Sequence, residues 1–102
     1  MDSSTAKIFK YPVKGDGELT SISCRRHQLL DIQRQDNELV CWIEIRDDLP
    51  ETTTELISIG TGWAMPSEFM DNATYFKTVQ DAYGFVWHFY EVKNIDLRSL
   101  NG

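Results

Sequence analysis

The sequence of 102 residues lacks the segments that mark a membrane or exported protein. No stretch approaches the roughly 18 consecutive apolar residues of a membrane span, and the polar start is unlike a secretion signal. We therefore expect a cytoplasmic protein with no membrane partner. Cysteine is scarce as well. Cys24 and Cys41 are too few for a disulfide framework, so both are expected to be reduced thiols.

Motifs for catalysis and metal binding are also missing. The two histidines, His27 and His88, have no cysteine, histidine or acidic neighbour at the spacing of metal ligands. The sequence contains no phosphate-binding Walker loop and no nucleophile elbow. It thus predicts a protein that is not an enzyme, with no catalytic residue, no metal and no cofactor.

Basic residues are fewer than acidic residues. Lysine and arginine number 10 against 16 aspartate and glutamate residues, which gives a net charge of −6. Binding to duplex nucleic acid usually needs several phosphate contacts from basic side chains that are spread over a surface. The charge balance therefore argues against duplex nucleic acid as a partner, and it permits an acidic surface that meets a basic protein.

The sequence does contain enough apolar material for one core, together with frequent turn signals. Apolar residues make up 41% and aromatic residues 12%, which excludes a disordered chain. Glycine, aspartate, asparagine and proline recur at intervals of roughly 10–20 residues, as turns do. The segments between these turns are rich in β-branched and aromatic residues, as strands are. They lie at 7–13, 18–23, 29–35, 38–45, 55–59, 75–79 and 85–92.

These segments predict an all-β fold, a single compact antiparallel sandwich or small barrel of about seven strands. At most one short helix is expected, at 66–71. The β domain is predicted to span 6–93, between a loose N-terminus, 1–5, and a loose C-terminal tail, 94–102.

Side-chain alternation predicts how three of the strands are placed. Pro12 restricts the first strand to a sheet edge or places it at a strand end. In the 29–35 segment, Leu30 and Ile32 fall on the same face. The 85–92 segment is apolar on both faces, which is typical of a central strand or of a strand that lies between a core and a partner.

Five segments in one order carry a resemblance to a known family. They are 7–13, 39–45, 57–63, 75–80 and 84–91. Together they resemble a family of proteins of about the same length encoded by tailed bacteriophages and prophages. Members often carry a histidine after the Gly-Thr-Gly turn, where this chain has Trp63, so no role is transferred from that histidine. The resemblance implies a phage accessory protein that acts in the cytoplasm of an infected host.

The turn Gly60-Thr61-Gly62 is the leading candidate for a binding site. Two glycines after a strand allow consecutive backbone N–H groups to converge on an anion. Trp63 and Phe69 are near in sequence and offer rings that stack on a base. The alternative interpretation is a tight turn that only needs a positive φ.

Two further features belong to this candidate site. Arg25 and Arg26 form the one local basic cluster, with His27, and guanidinium groups can hold a phosphate bidentately. The alternative interpretation of this basic cluster is a turn whose charged side chains are only solvated. In the predicted arrangement, one of these arginines reaches the ligand from the same chain or from a symmetry mate. His88, among the aromatics of the last strand, is either a ligand contact or a hydrogen-bonded interior or interface histidine.

Aromatic residues crowd into 63–90, and a small β domain cannot bury all of them. A homo-oligomer, most simply a dimer, is therefore expected. The leading hypothesis for the function is counter-defence, in which the protein sequesters a small anionic nucleotide that serves as an immune signal. The alternatives are an acidic modulator that docks on a host protein, with nucleic-acid mimicry as one form, and a minor virion or assembly protein. Net charge favours the modulator, whereas the aromatics and paired glycines favour the nucleotide.

Overall fold

The computed structural model describes residues 4–93, which form seven antiparallel strands in two sheets and one short helix. The elements in chain order are β1 (Ala6–Pro12), β2 (Leu19–Cys24), β3 (Arg26–Gln35), β4 (Glu38–Arg46), β5 (Thr52–Gly60), α1 (Ser67–Asn72), β6 (Ala73–Gln80) and β7 (Val86–Val92). The three-stranded sheet has the order β1-β4-β3, and the four-stranded sheet has the order β2-β5-β7-β6. The predicted all-β fold with about seven strands and one short helix is confirmed.

The two sheets are linked at one side and leave two strand edges at the other. β3 approaches β6, and Lys77 on β6 forms an ion pair of 2.9 Å with Asp31 on β3. β1 and β2 are edge strands of the two sheets, as Pro12 predicted for the first strand. A groove of about 690 Å³ lies along these two strands.

The core lies between the sheets and follows the alternation of the strands. Residues that face inward include Cys41 and Ile43 on β4, Leu56 on β5 and Phe89 on β7, each fully buried. β7 lies between β5 and β6, so the prediction of a central last strand is confirmed. The two sheets therefore bury one shared apolar layer, as a β-sandwich does.

The prediction that Leu30 and Ile32 share a face is wrong. Leu29 and Ile32 are the buried residues of this segment, whereas Leu30 is 38% exposed. The register between β3 and β4 shifts between Leu29 and Asp31, which marks a β-bulge. A bulge adds one residue to one strand and reverses the alternation beyond it.

An ion pair joins the two sheets at one margin of the core. Arg26 on β3 makes two hydrogen bonds to the carboxylate of Glu91 on β7, one of them 3.0 Å long from Nη2 to Oε1. Its Nη1 also donates to Thr54 on β5 at 2.9 Å. The side chains of Arg26 and Glu91 are only 20% and 13% exposed. Arg26 is therefore a largely buried structural link between the sheets.

The short helix covers part of the outer face of the four-stranded sheet. Phe69 on α1 is buried, and its ring makes an edge contact with Tyr90 on β7 at a centroid distance of 5.5 Å. Tyr75 on β6 contacts the same tyrosine at 5.7 Å. A hydrophobic contact with the sheet thus holds a helix too short to be stable alone.

Most of the termini that the sequence predicts to be loose cannot be compared with the structure. The loose C-terminal tail predicted at 94–102 and residues 1–3 of the predicted loose N-terminus lie outside the described residues. Between residues 4 and 93, no helix has the length and apolar character needed to cross a membrane.

An aromatic groove as candidate functional site

One end of the four-stranded sheet carries a groove of about 530 Å³ lined by exposed aromatic rings. We call it the aromatic groove. It is lined by Gly60, Thr61, Trp63, Gly84, Phe85, Val86 and Trp87. Trp63 is 50% exposed and Phe85 is 64% exposed. Exposed rings gathered around a concavity are typical of a surface that binds a partner.

The Trp63 indole packs directly against the backbone of two glycines. A Cβ atom on Gly60 would lie 2.6 Å from the Trp63 Cε2 atom, and a Cβ on Gly17 would lie 2.7 Å from its Cζ3 atom. Real Cβ atoms do not approach a ring so closely, so only glycine permits this packing. The backbone of Gly17 is in turn fixed by a hydrogen bond of 2.9 Å from its N–H to Ser58 Oγ. The indole is therefore held at these glycines while half of its surface is exposed.

Trp87 holds the inner side of the groove. Its ring packs on the core and makes an edge contact with Trp63, with centroids 5.4 Å apart and an interplanar angle of 86°. Gly15 lies close to the same ring, because a Cβ there would be 3.2 Å from Trp87 Cδ1 and would clash with Leu39 Cδ1. The two indoles are thus fixed relative to each other and to the core.

Asp81 organises the loop that presents Phe85. Its carboxylate accepts hydrogen bonds of 2.9 Å from the Trp87 Nε1–H and from the backbone N–H groups of Tyr83 and Phe85. These hydrogen bonds hold the pKa of Asp81 below its ordinary value. The bond from the Trp87 indole has the largest effect, and the bonds from the backbone N–H groups add to it. A carboxylate thus fixes both the inner indole and the loop with the most exposed rings.

A chain of polar side chains runs from the groove across the outer face of the sheet. Thr61 Oγ1 lies 2.8 Å from His88 Nε2, and His88 Nδ1 lies 2.9 Å from Thr78 Oγ1. Thr78 is also bonded to the hydroxyl of Tyr75 at 2.6 Å. Both nitrogens of His88 therefore have partners, so this histidine fixes the Thr61 hydroxyl at the wall of the groove.

The structure brings together only part of the predicted site. Gly60, Thr61, Gly62 and Trp63 form one turn, and His88 bonds to it through Thr61. Gly62 has a positive φ of 89°. This conformation fits the alternative interpretation, in which the glycines only form a tight turn. The backbone N–H of Trp63 donates to Gly60 O at 3.1 Å, so this amide does not face a ligand.

The predicted arrangement with an arginine from the same chain is wrong. Cys24 pairs with Thr52 at one end of β5, while Gly60 lies at the other end, about 26 Å away along the strand. Arg25 bonds to the carbonyl oxygen of Leu49 at 2.5 Å, near the same distant end. Arg26 is occupied by Glu91.

Phe69 does not belong to the site either. It is 3% exposed and packs α1 onto Tyr90, so its ring cannot stack on a ligand. Nearness in sequence to Trp63 suggested this role, but the hydrophobic face of the helix determines where the phenyl ring lies.

Sequence reasoning missed Phe85, Trp87 and Gly17 as parts of the site. The alternation of the last strand marks Phe85 and Trp87 only as residues of one face, and Gly15-Asp16-Gly17 reads only as a turn. The two glycines that flank Asp16 could have identified this part of the site, because glycine pairs also mark places where the backbone approaches a ring closely.

Charged groups of both signs lie around the groove, because Arg34 Nη1 donates to the carbonyl oxygen of Asp81 at 3.4 Å. None of its lining residues is ionisable. Asp81 is bonded to Trp87, and Asp16 lies in the turn beside Trp63. Lys14 is paired with Glu18 at 3.3 Å. Among the lining residues there is consequently no cation to neutralise a phosphate.

The family of the chain follows from its sequence as a whole. The family model described as "Domain of unknown function (DUF7352)" matches residues 4–98. The chain belongs to the DUF7352 family. The match covers every strand of the sandwich and the aromatic groove, so the DUF7352 unit is this β domain. No curated protein and no solved structure matches the chain.

The described part of this DUF7352 domain holds no group of three or more histidine, cysteine or acidic residues arranged to bind a metal ion. Its chemistry at the groove is therefore that of rings, one hydroxyl and backbone groups.

Proposed function

We propose that this protein works by binding, and that the aromatic groove takes up a basic and aromatic segment of a partner protein. The observation that carries the proposal is the Trp63 indole, held at Gly60 and Gly17 with half its surface exposed. A ring fixed before binding loses little conformational entropy when a ligand arrives, which favours affinity. Tyrosine, tryptophan and phenylalanine are enriched at such surfaces.

The choice of a basic segment rests on charge. An arginine or lysine over the face of an exposed indole gains a cation–π interaction. The protein carries a net charge of −6, and Asp16 and Asp81 lie beside the groove. A basic segment is therefore attracted over long range and held at short range by Trp63.

The sequestration of an anionic nucleotide has weaker support. A base would still stack on Trp63, but Arg25 lies near the far end of β5, about 26 Å from the turn, and Arg26 is bonded to Glu91 and Thr54. Only a symmetry mate would bring Arg25 or Arg26, the predicted phosphate ligands, to the phosphate. For this reason the modulator that docks on a protein is the function that we propose.

The biological setting of the proposal comes from the resemblance to phage and prophage proteins. In that setting the partner is a protein of the infected host, and the binding domain acts as an accessory factor without catalysis. The fold and the groove support a binding role without depending on this setting.

Selection from a library of short random peptides tests the proposed function. Peptides enriched on the wild type should combine arginine or lysine with an aromatic residue. Trp63→Ala should weaken the best of them about tenfold or more, because truncation of a tryptophan that anchors an interface costs roughly 2 kcal/mol or more. Met70→Ala is the matched control, since Met70 is 59% exposed but lies on α1, outside the groove lining.

Cyclic nucleotides supply the opposing arm of the same experiment. They should bind neither the wild type nor Trp63→Ala in calorimetric titrations. Enrichment of acidic peptides, or tight binding of a nucleotide that Trp63→Ala abolishes, would reject the proposed partner class.

A further inference from the structure

The outer edge of β1 has no strand partner among the described residues. β1 pairs with β4 alone, and every residue of β1 except Tyr11 is exposed. Ile8 and Phe9 are 59% and 43% exposed. An edge strand with exposed apolar side chains is a template for pairing with another strand.

Hydrogen bonds at the two ends of β1 establish which backbone groups point outward. The Val13 N–H donates to Leu39 O at 3.0 Å, and the Asp47 N–H donates to Thr5 O at 3.2 Å. Bonded pairs alternate along an antiparallel ladder, and the register between β1 and β4 is unbroken. Odd-numbered residues therefore bond to β4, while even-numbered residues direct their backbone groups away from it. The even-numbered residues are Ala6, Ile8, Lys10 and Pro12.

We propose that two copies of this chain pair through β1 in antiparallel orientation, so that their three-stranded sheets form one sheet of six strands. Phe9 lies opposite the partner's Phe9 at the two-fold axis. Ile8 and the partner's Lys10 exchange backbone hydrogen bonds, because both residues direct these groups outward. Ala6 donates to the partner's Pro12, which contributes only its carbonyl oxygen.

The charges on β1 favour this register over its neighbours. With Phe9 at the axis, Lys7 lies opposite the partner's Tyr11 and no lysine faces another lysine. A shift by two residues in one direction places Lys10 opposite the partner's Lys10, which is unfavourable. A shift in the other direction places Phe9 opposite the partner's Lys7 and sets Tyr11 and Pro12 against residues that precede β1.

The occupant of this edge is a second copy because the strand complements itself. In an isologous contact the same patch serves both subunits. In the proposed register every outward N–H of β1 meets a carbonyl oxygen, and the one residue without an N–H, Pro12, lies at the end of the pairing.

Sedimentation of the full chain with one substitution tests the dimer. The wild type should sediment as a dimer at micromolar concentration. Ile8→Pro removes an N–H that points away from β4, so it should keep the fold and weaken the dimer about tenfold or more. Ile8→Val, which keeps the N–H, is the matched control and should remain a dimer.

Single cysteine substitutions test the register and do not depend on Ile8→Pro. Opposed residues of a non-hydrogen-bonded pair lie about 4.5 Å apart between Cα atoms, which a disulfide can span. Phe9→Cys should therefore form a covalent dimer on mild oxidation, whereas Ile8→Cys and Lys10→Cys should not. The native thiols Cys24 and Cys41 are buried and can stay in place.

Three results would overturn the proposal. They are a wild type that is a monomer, a dimer that survives Ile8→Pro in folded protein, and cross-linking at Ile8→Cys or Lys10→Cys in preference to Phe9→Cys. A dimer through the aromatic groove would give the second result. Because β1 does not line that groove, failure of this proposal leaves the proposed partner site standing.

Discussion

At the scale of single residues, the candidate site depends on glycines as much as on aromatic rings. Gly60 and Gly17 allow the indole of Trp63 to lie against the backbone. Gly62 is required for a different reason: apart from its two chain neighbours, no residue comes within 4 Å of the position of its Cβ, but its φ is 89°. Steric contact thus constrains Gly60, and backbone conformation constrains Gly62.

This difference gives a matched pair of substitutions. Gly60→Ala should displace the Trp63 indole and weaken peptide binding about tenfold, at a cost of ~1–3 kcal/mol in stability from overpacking. Gly62→Ala should cost ~1 kcal/mol through its positive φ while leaving the indole in place. Urea unfolding and quenching of tryptophan fluorescence by acrylamide measure the two effects. Equal changes in quenching for both variants would contradict the assignment.

At the scale of elements, Arg26 and Glu91 tie the three-stranded sheet to the four-stranded sheet. Removal of one partner from a largely buried pair leaves a charge without compensation, which costs more than the pair contributes. The arginine that the sequence suggested as a phosphate ligand is therefore explained by the packing of the two sheets.

Arg26→Ala should lower the free energy of unfolding by about 3 kcal/mol. Arg25→Ala, one residue away and exposed, should change it by less than about 1 kcal/mol. The double variant Arg26→Met/Glu91→Leu should recover most of the loss, because no charge is left unpaired. Urea unfolding of the three variants measures these changes in the free energy of unfolding. Neither Arg26→Ala nor Arg25→Ala should alter peptide binding at the groove.

The sequence predicted the local order of the fold well and its long-range contacts poorly. The alternation of β7 predicted its central position, and Pro12 predicted an edge strand. The bulge between Leu29 and Asp31 left no mark in the pattern of apolar residues, so the pattern placed Leu30 on the wrong face. The position of such a bulge depends on how β3 pairs with β4, which the sequence of β3 alone does not reveal.

The predicted site was incomplete for a similar reason. The turn from Gly60 to Trp63 is continuous in sequence, so its residues were found together. Phe85 and Trp87 reach it only because β7 pairs with β5, with Gly60 opposite Trp87. The prediction that Arg25 reaches Gly60 within one chain fails because β2 and β5 hold the two residues at opposite ends of the sheet.

At the scale of the whole molecule, the single core has a thiol at its centre. Burial, with a smaller contribution from the nearby Cys24, raises the pKa of Cys41 to about 11. In the unfolded chain the thiol ionises near its ordinary pKa, whereas in the folded protein it stays neutral up to about pH 11. The contribution of Cys41 to stability is therefore complete below about pH 8.5 and is lost as the pH rises through 11.

Alkaline unfolding measures this contribution. Between about pH 8.5 and 11, the free energy of unfolding of the wild type should fall by roughly 2–3 kcal/mol more than that of Cys41→Val. Cys41→Val retains a small apolar side chain but cannot ionise. Parallel pH profiles for the two proteins would mean that the thiol ionises with equal ease in the folded and unfolded states.

The central claim is that a basic and aromatic segment binds in the groove against Trp63. NMR of the indole Nε–H groups tests it directly, because Trp42 lies on the other sheet and serves as an internal control. On titration with the tightest peptide selected from the library, the resonances of Trp63 and Trp87 and the amide of Phe85 should shift together, while that of Trp42 stays unchanged. Binding of the same peptide with shifts at Trp42 and none at Trp63 would contradict the account.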